Sequence, residues 1–115
     1  MSAHSQASID SQDLCEQLFI ALGERISELQ RNPTKGSCGI WQQGRTRFAY
    51  IYHSKSRGLI EVWCRGDVDE LSANDPGLGV VARDSPREGW EKSFPARFRI
   101  YRTQQVPLAV TFLKN

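Results

Sequence analysis

From Thr46 to His53 the chain alternates strictly, with Phe48, Tyr50 and Tyr52 at one parity and Arg47, Ala49, Ile51 and His53 at the other. Successive side chains of a strand point to opposite faces, so this period of two specifies a β-strand. The polar run Ser54-Lys55-Ser56-Arg57-Gly58 ends in a glycine free to take positive φ, and Leu59 to Cys64 returns as a partner strand. The resulting aromatic hairpin, Arg45 to Cys64, restricts the chain to folds built on an antiparallel sheet. Pairing His53 with Leu59 sets Tyr52 opposite Ile60, Tyr50 opposite Val62 and Phe48 opposite Cys64. That register predicts a core face of Phe48, Tyr50, Tyr52, Ile60, Val62 and Cys64. It is preferred because a one-residue slip brings Glu61 among the aromatics. The reverse face then holds Arg47, Ala49, Ile51, His53, Leu59, Glu61 and Trp63, with Arg65 at its end.

Upstream, Leu14, Leu18, Ala21/Leu22, Arg25/Ile26 and Leu29 recur at steps of three and four, the spacing of an apolar helical stripe. Ser11 suits the N-cap, Asp13 and Glu16 suit the positive end of the dipole, and Asn32-Pro33 ends the pattern. A helix over residues 11–31 is expected, preceded by a disordered tail at 1–8. Cys38 to Gln42 reads as a short strand leading to a tight turn at Gln43-Gly44-Arg45. Residues 65–96 are rich in Gly and Pro, and a structureless loop that long is rare inside a small domain. Leu78 to Arg83 is the candidate strand within it, and Trp90 is expected to pack the connection onto the core. Phe98 and Ile100 alternate with Arg97, Arg99 and Tyr101 in a late strand. Gln104 to Leu113 reads as a short helix that tolerates Pro107 in its first turn. The expected fold is α+β: an N-terminal helix, an antiparallel β-meander of about 4–5 strands and a short C-terminal helix, making residues 9–115 a single domain.

Composition supports one core and no more. At 115 residues, with 39% apolar and 24% charged, the chain matches an ordinary globular domain. No apolar run reaches a membrane span, and MSAHSQAS lacks the basic and apolar regions of a leader. Cys15, Cys38 and Cys64 are odd in number and far apart, which reads as buried free thiols in a cytoplasmic protein without a membrane partner. The net charge of +2 is unevenly spread. Residues 1–33 carry −3, while residues 34–115 carry +5 and hold nine arginines to four lysines. Guanidinium forks match phosphate and carboxylate geometry, so nucleic acid is an admissible partner.

No stretch carries a catalytic, metal or cofactor signature. His53 and Cys64 fall five residues apart along the hairpin and on opposite faces, too far for a nucleophile–base pair. Asp67, Asp69 and Glu70 are the only candidate set for a metal-dependent hydrolase, but a solvated turn or helix start accounts for them better. Gly77-Leu78-Gly79 lacks the spacing of a phosphate-binding loop. The informative constellation is basic and aromatic: Arg45, Arg47, Trp63, Arg65, Arg97, Arg99 and Tyr101 can share one side of the sheet. Guanidinium groups neutralise phosphates while flat rings stack on bases, so this set is the candidate ligand-binding site. It is available only if no helix covers that side.

The helix at 11–31, the strand Phe48–Tyr52, the strand Leu59–Cys64 with Arg65-Gly66-Asp67, then Gly89-Trp90 and Phe98-Arg99-Ile100 before a short helix together form a recognisable order. It resembles a small bacterial α+β domain family of unknown function found beside or fused to restriction- and nuclease-type proteins. The resemblance implies an accessory or sensing module near nucleic-acid chemistry and transfers no catalytic residues. Taken together, the expectation is a non-enzymatic module for nucleic acid or a nucleotide. A protein-interaction or dimerisation domain, using the acidic helix or strand 97–102, is the alternative.

Overall fold

The computed structural model describes residues 11–32, 37–54, 56–83 and 92–114. The expected tail at 1–8 and the packing of Trp90 lie outside the described residues. Helix α1 (Ser11–Gly23) is followed by strands β1 (Leu29–Asn32), β2 (Ser37–Gln43), β3 (Thr46–Ser54) and β4 (Leu59–Cys64). Then come helix α2 (Val68–Ala73), strands β5 (Val81–Ala82) and β6 (Ala96–Ile100), a 3-10 turn at Thr103–Gln105 and helix α3 (Val106–Leu113). The strands form one antiparallel sheet in the order β1-β2-β3-β4-β6-β5. This is an α+β fold with one strand more than the meander expected.

The extra strand comes from the far end of the expected first helix. At Gly23 the helix gives way to turns, and Glu28 takes φ 59° before Leu29–Asn32 pairs with Ile40–Gln43. Leu29 still packs against the core, but as a strand residue. The β2–β3 connection is the two-residue turn Gly44-Arg45, closed by the Gln43–Thr46 pair. Gly44 sits at φ 58°, a conformation that suits glycine in a tight hairpin.

The register of the central hairpin differs from expectation by one residue. The pairs are Ser54–Leu59, His53–Ile60, Tyr52–Glu61, Ile51–Val62, Tyr50–Trp63 and Ala49–Cys64. The connecting loop is therefore four residues rather than five. Ala49, Ile51, Ile60, Val62 and Cys64 now form the buried face, joined by Phe98 and Ile100 of β6. Tyr50 and Tyr52 turn to the other side, together with Glu61 and Trp63. The burial cost charged against Glu61 does not arise, because that side is not the core and Arg97 and Arg99 pair with the carboxylate. His53 and Cys64 thus share a parity, four residues apart, which at the usual strand rise is still roughly 13 Å.

Two bulges, one in each strand, adjust the β2–β3 pairing. Cys38 is the extra residue between the Ser37–Tyr52 and Gly39–Ile51 pairs. Phe48 is the extra residue between the Trp41–Ala49 and Gln42–Arg47 pairs, so Phe48 packs towards the core while Arg47 rejoins the face of Tyr50. The first bulge brings Cys38 to Cys15 of α1, and the two form a disulfide with Cα atoms 6.3 Å apart. The expectation of three free thiols is therefore corrected: only Cys64 is free, and burial pushes its thiol pKa up to about 12.

Helices α1 and α3 pack side by side on the buried face through Leu14, Leu18 and Leu22 of α1 and Val106, Ala109, Val110 and Phe112 of α3. Trp41 is fully enclosed there, its ring 5.2 Å edge-on from Phe19 and its indole N–H donated to the Cys38 carbonyl at 3.2 Å. Arg31 ties the edge strand back to α1, reaching both carboxylate oxygens of Glu16 at 2.7 and 2.9 Å and lying 4.3 Å over the Phe19 ring. Among the described residues no helix is long and apolar enough to cross a membrane.

Candidate functional site

Both longer helices lie on one side of the sheet, and strand alternation dictates what the other side displays. Along the row through Tyr50, the paired residues are Ile40, Tyr50, Trp63, Arg97 and Val81. One row on, Tyr52, Glu61 and Arg99 follow each other across β3, β4 and β6. One row back, Arg47 sits at the bulged start of β3. Arg65 follows β4 with its backbone N–H on the Phe48 carbonyl, and Arg83 follows β5 with its N–H on the Pro95 carbonyl. Rows two residues apart are roughly 7 Å apart, and neighbouring strands about 4.8 Å. Five arginines and three aromatics thus occupy a small grid on the face opposite the helices.

Side chains organise this grid into two clefts. The larger, about 240 Å³, is lined by Glu61, Trp63, Arg83, Arg97 and Arg99. Glu61 Oε1 receives Arg99 Nε at 3.3 Å and lies 3.4 Å from Arg97 Nε. Two guanidinium groups, those of Arg97 and Arg99, therefore share the one Glu61 carboxylate. The Trp63 ring is 4.7 Å from that of Tyr50 at a 36° tilt, and the Arg83 guanidinium lies 3.4 Å from its centroid. Arg83 is itself held by donating to the Phe94 carbonyl at 3.0 Å. Hydrogen bonding to Tyr101 raises the Arg99 pKa, desolvation opposes this, and Glu61 adds to the rise. Arg99 therefore stays cationic at any working pH. The smaller cleft, about 120 Å³, is lined by Ile40, Arg47, Arg65, Ser93 and Phe94, with Arg65 Nη1 donating to the Arg47 carbonyl at 3.1 Å.

Of the seven residues picked out from the sequence, Trp63, Arg97 and Arg99 line one cleft and Arg47 and Arg65 the other. Tyr101 follows β6 beside Arg99 and is 48% exposed. Arg45 is exposed at the tip of the β2–β3 turn and lines neither cleft. Glu61, already expected on the face of Arg47 and Trp63, completes the site together with Tyr50, Tyr52 and Arg83, which were not foreseen there. Tyr50 and Tyr52 were hidden by the one-residue register error. Arg83 lies two residues after Val81, so the candidate strand 78–83 already carried the parity that places it here.

The other chemically suggestive groups have structural roles. Asp67 Oδ1 accepts the backbone N–H groups of Asp69 (2.8 Å) and Glu70 (3.3 Å), capping α2. Ser11 Oγ lies 3.4 Å from His53 Nδ1, but at 1% exposure the hydroxyl is shut off from any substrate. Asp75 accepts four backbone N–H groups, from Gly77, Leu78, Gly79 and Val80, at 2.6–3.0 Å. Burial raises its pKa, but these four bonds outweigh that and hold it below the ordinary carboxylate range.

Fold and site together define a two-layer α+β domain with one sheet face under helices and a basic, aromatic face opposite. No family model matches the chain, nor does any curated protein or solved structure.

Proposed function

We propose that this chain is a non-enzymatic binding module that engages nucleic acid or a nucleotide through the sheet face opposite its helices. The observation that carries this reading is the clustering of Arg47, Arg65, Arg83, Arg97 and Arg99 with Tyr50, Tyr52 and Trp63 on that face. Arginine forks take phosphate oxygens bidentately, and exposed rings beside them take the flat face of a base. A sheet surface of this kind suits single strands, whose bases are free to splay onto it, better than a closed duplex. The resemblance to domains found beside nuclease-type proteins points the same way. Fluorescence anisotropy with single- and double-stranded oligonucleotides at two salt concentrations tests the reading. Tighter binding of the single strand, weakening as salt rises, is the expected result, and no binding at low ionic strength would overturn it.

Self-association is the second reading. Ile20 is 64% exposed beside a groove of about 350 Å³ shared with Ala21, Val106 and Pro107. A dimer seen by light scattering and abolished by Ile20→Ser would favour it. Strand 97–102 is a weaker candidate interface, because β5 already pairs with Ala96 and Arg97.

We place the chain in the cytoplasm, where Cys15–Cys38 would exchange with its dithiol form. Trapping thiols in intact cells tests the placement, and a permanently oxidised pair would argue for an oxidising compartment.

A further inference from the structure

We propose that the open face selects guanine, reading the Watson–Crick edge of the base with the row Tyr52–Glu61–Arg99. The inference rests on the reading above and names the base that reading leaves open. Tyr52, Glu61 and Arg99 are direct cross-strand partners on β3, β4 and β6. A ring, a carboxylate and a guanidinium group therefore follow one another across the sheet at steps of about 4.8 Å.

A carboxylate repels phosphate, so its place on this face calls for another use. The Glu61 side chain is 17% exposed and lines the larger cleft, within reach of a ligand. Its ties to the sheet run through one oxygen: Oε1 accepts from Arg99 Nε at 3.3 Å and lies 3.4 Å from Arg97 Nε. Among the described residues no donor reaches Oε2. An ionised carboxylate accepts at about four positions and donates at none, so Glu61 keeps room for a pair of donors brought by a ligand. Arg97 and Arg99 both approach through Nε, and their Nη atoms carry further N–H groups beside the carboxylate.

The order of these groups discriminates among bases. Along its Watson–Crick edge guanine offers two adjacent donors, N2–H and N1–H, and then the O6 acceptor. Adenine sets its amino donor beside an acceptor, cytosine follows its donor with two acceptors, and uracil or thymine holds one donor between two acceptors. Guanine alone sets two donors against the Glu61 oxygens and an acceptor against a flanking arginine. Each of the others brings a lone pair up to the carboxylate and leaves it without a donor. Tyr52 supplies the platform. It is 44% exposed, and among the described residues no ring or guanidinium group stacks on it, whereas Trp63 already meets Arg83 and Tyr50. A base laid on the Tyr52 ring turns its edge along the row to the neighbouring carboxylate.

The test is displacement of a labelled oligo(dT) octamer from the whole chain at low ionic strength, followed by fluorescence anisotropy. The competitors are GMP, AMP, CMP, UMP and IMP, with inorganic phosphate as the competitor that lacks a base. Every nucleotide carries one phosphate, so differences among them report the base. GMP should compete about tenfold better than AMP, CMP or UMP, the discrimination expected of one bidentate pair. IMP, which lacks the 2-amino group, should fall between. Glu61→Gln replaces an acceptor oxygen with a donor amide, so it should bring GMP level with AMP without weakening AMP. Tyr52→Ala should weaken every nucleotide several-fold and keep their order, with thermal melts showing both variants folded. Equal competition by the nucleotides, a guanine preference that survives Glu61→Gln, or competition no better than that of inorganic phosphate would overturn the guanine reading, while octamer binding would still support the proposed function. If the octamer does not bind at low ionic strength, the proposed function fails, and this inference with it.

Discussion

Replacing Asp75 with alanine should loosen the connection that carries Arg83 to the open face. One carboxylate gathers four backbone N–H groups, and two of the four donors belong to the buried residues Leu78 and Val80. The N–H groups of Gly77 and Gly79 are exposed and can turn to water, so the loss falls mainly on the buried pair. A hydrogen bond to a charged group contributes about 1.5–3 kcal/mol, and with partial relaxation the substitution should cost roughly 2–4 kcal/mol. For a domain this size that corresponds to a fall in Tm of roughly 10–20 °C. The sign of the pH dependence follows from the depressed carboxyl pKa. The stabilisation is complete above the ordinary Asp pKa of about 4 and is lost as pH falls through the lower folded value. Scanning calorimetry of both proteins at neutral and acid pH measures each part. The wild-type advantage should shrink as pH drops below about 4. A Tm difference under about 2 °C at neutral pH would show that the four bonds do not organise the loop.

The Cys15–Cys38 crosslink closes a loop with a sequence separation of 23, so reduction should cost about 3 kcal/mol; melts with and without reductant, and of Cys15→Ser, measure it. Cys64, buried and with its thiol pKa pushed up to about 12, should resist maleimide labelling at neutral pH until denaturant exposes it, as mass spectrometry would show. Glu61→Gln removes the carboxylate that competes for Arg97 and Arg99. It should tighten oligonucleotide binding several-fold and change stability by no more than about 1 kcal/mol, because the pairs are only partly buried.

The element types were legible in the sequence because period two and period three-to-four patterns report burial directly. Thr46–His53, Leu59–Cys64, Arg97–Ile100 and the α1 stripe all fall where those patterns lie. Register was not legible. It depended on whether the hairpin closes at His53–Leu59 or Ser54–Leu59, and the deciding term was a pairing between Glu61 and arginines of a strand more than thirty residues away. Treating Glu61 as a burial penalty assumed that the aromatic side was the core. The small aliphatics Ala49, Ile51 and Val62 instead take the core side, where they let α1 and α3 approach. Leu29 fits a helical stripe and a strand equally well, so the exit at Gly23 left no periodic trace. The bulges at Cys38 and Phe48 are likewise invisible to alternation, yet they bring Cys38 to Cys15 and Arg47 to the open face. Trp63, Arg97 and Arg99 were grouped correctly because β4 and β6 keep an uninterrupted register with each other.

The central claim is that ligand meets the sheet on the side opposite the helices. The most direct measurement is NMR mapping of the labelled chain, including arginine Nε and indole N–H signals, during titration with a short single-stranded oligonucleotide. The account predicts shifts concentrated at Tyr50, Tyr52, Trp63, Arg65, Arg97 and Arg99, with the helix-side residues Leu18, Trp41 and Val110 unmoved. Shifts centred instead on Ile20 and Val106, with the arginine signals unchanged, would contradict it.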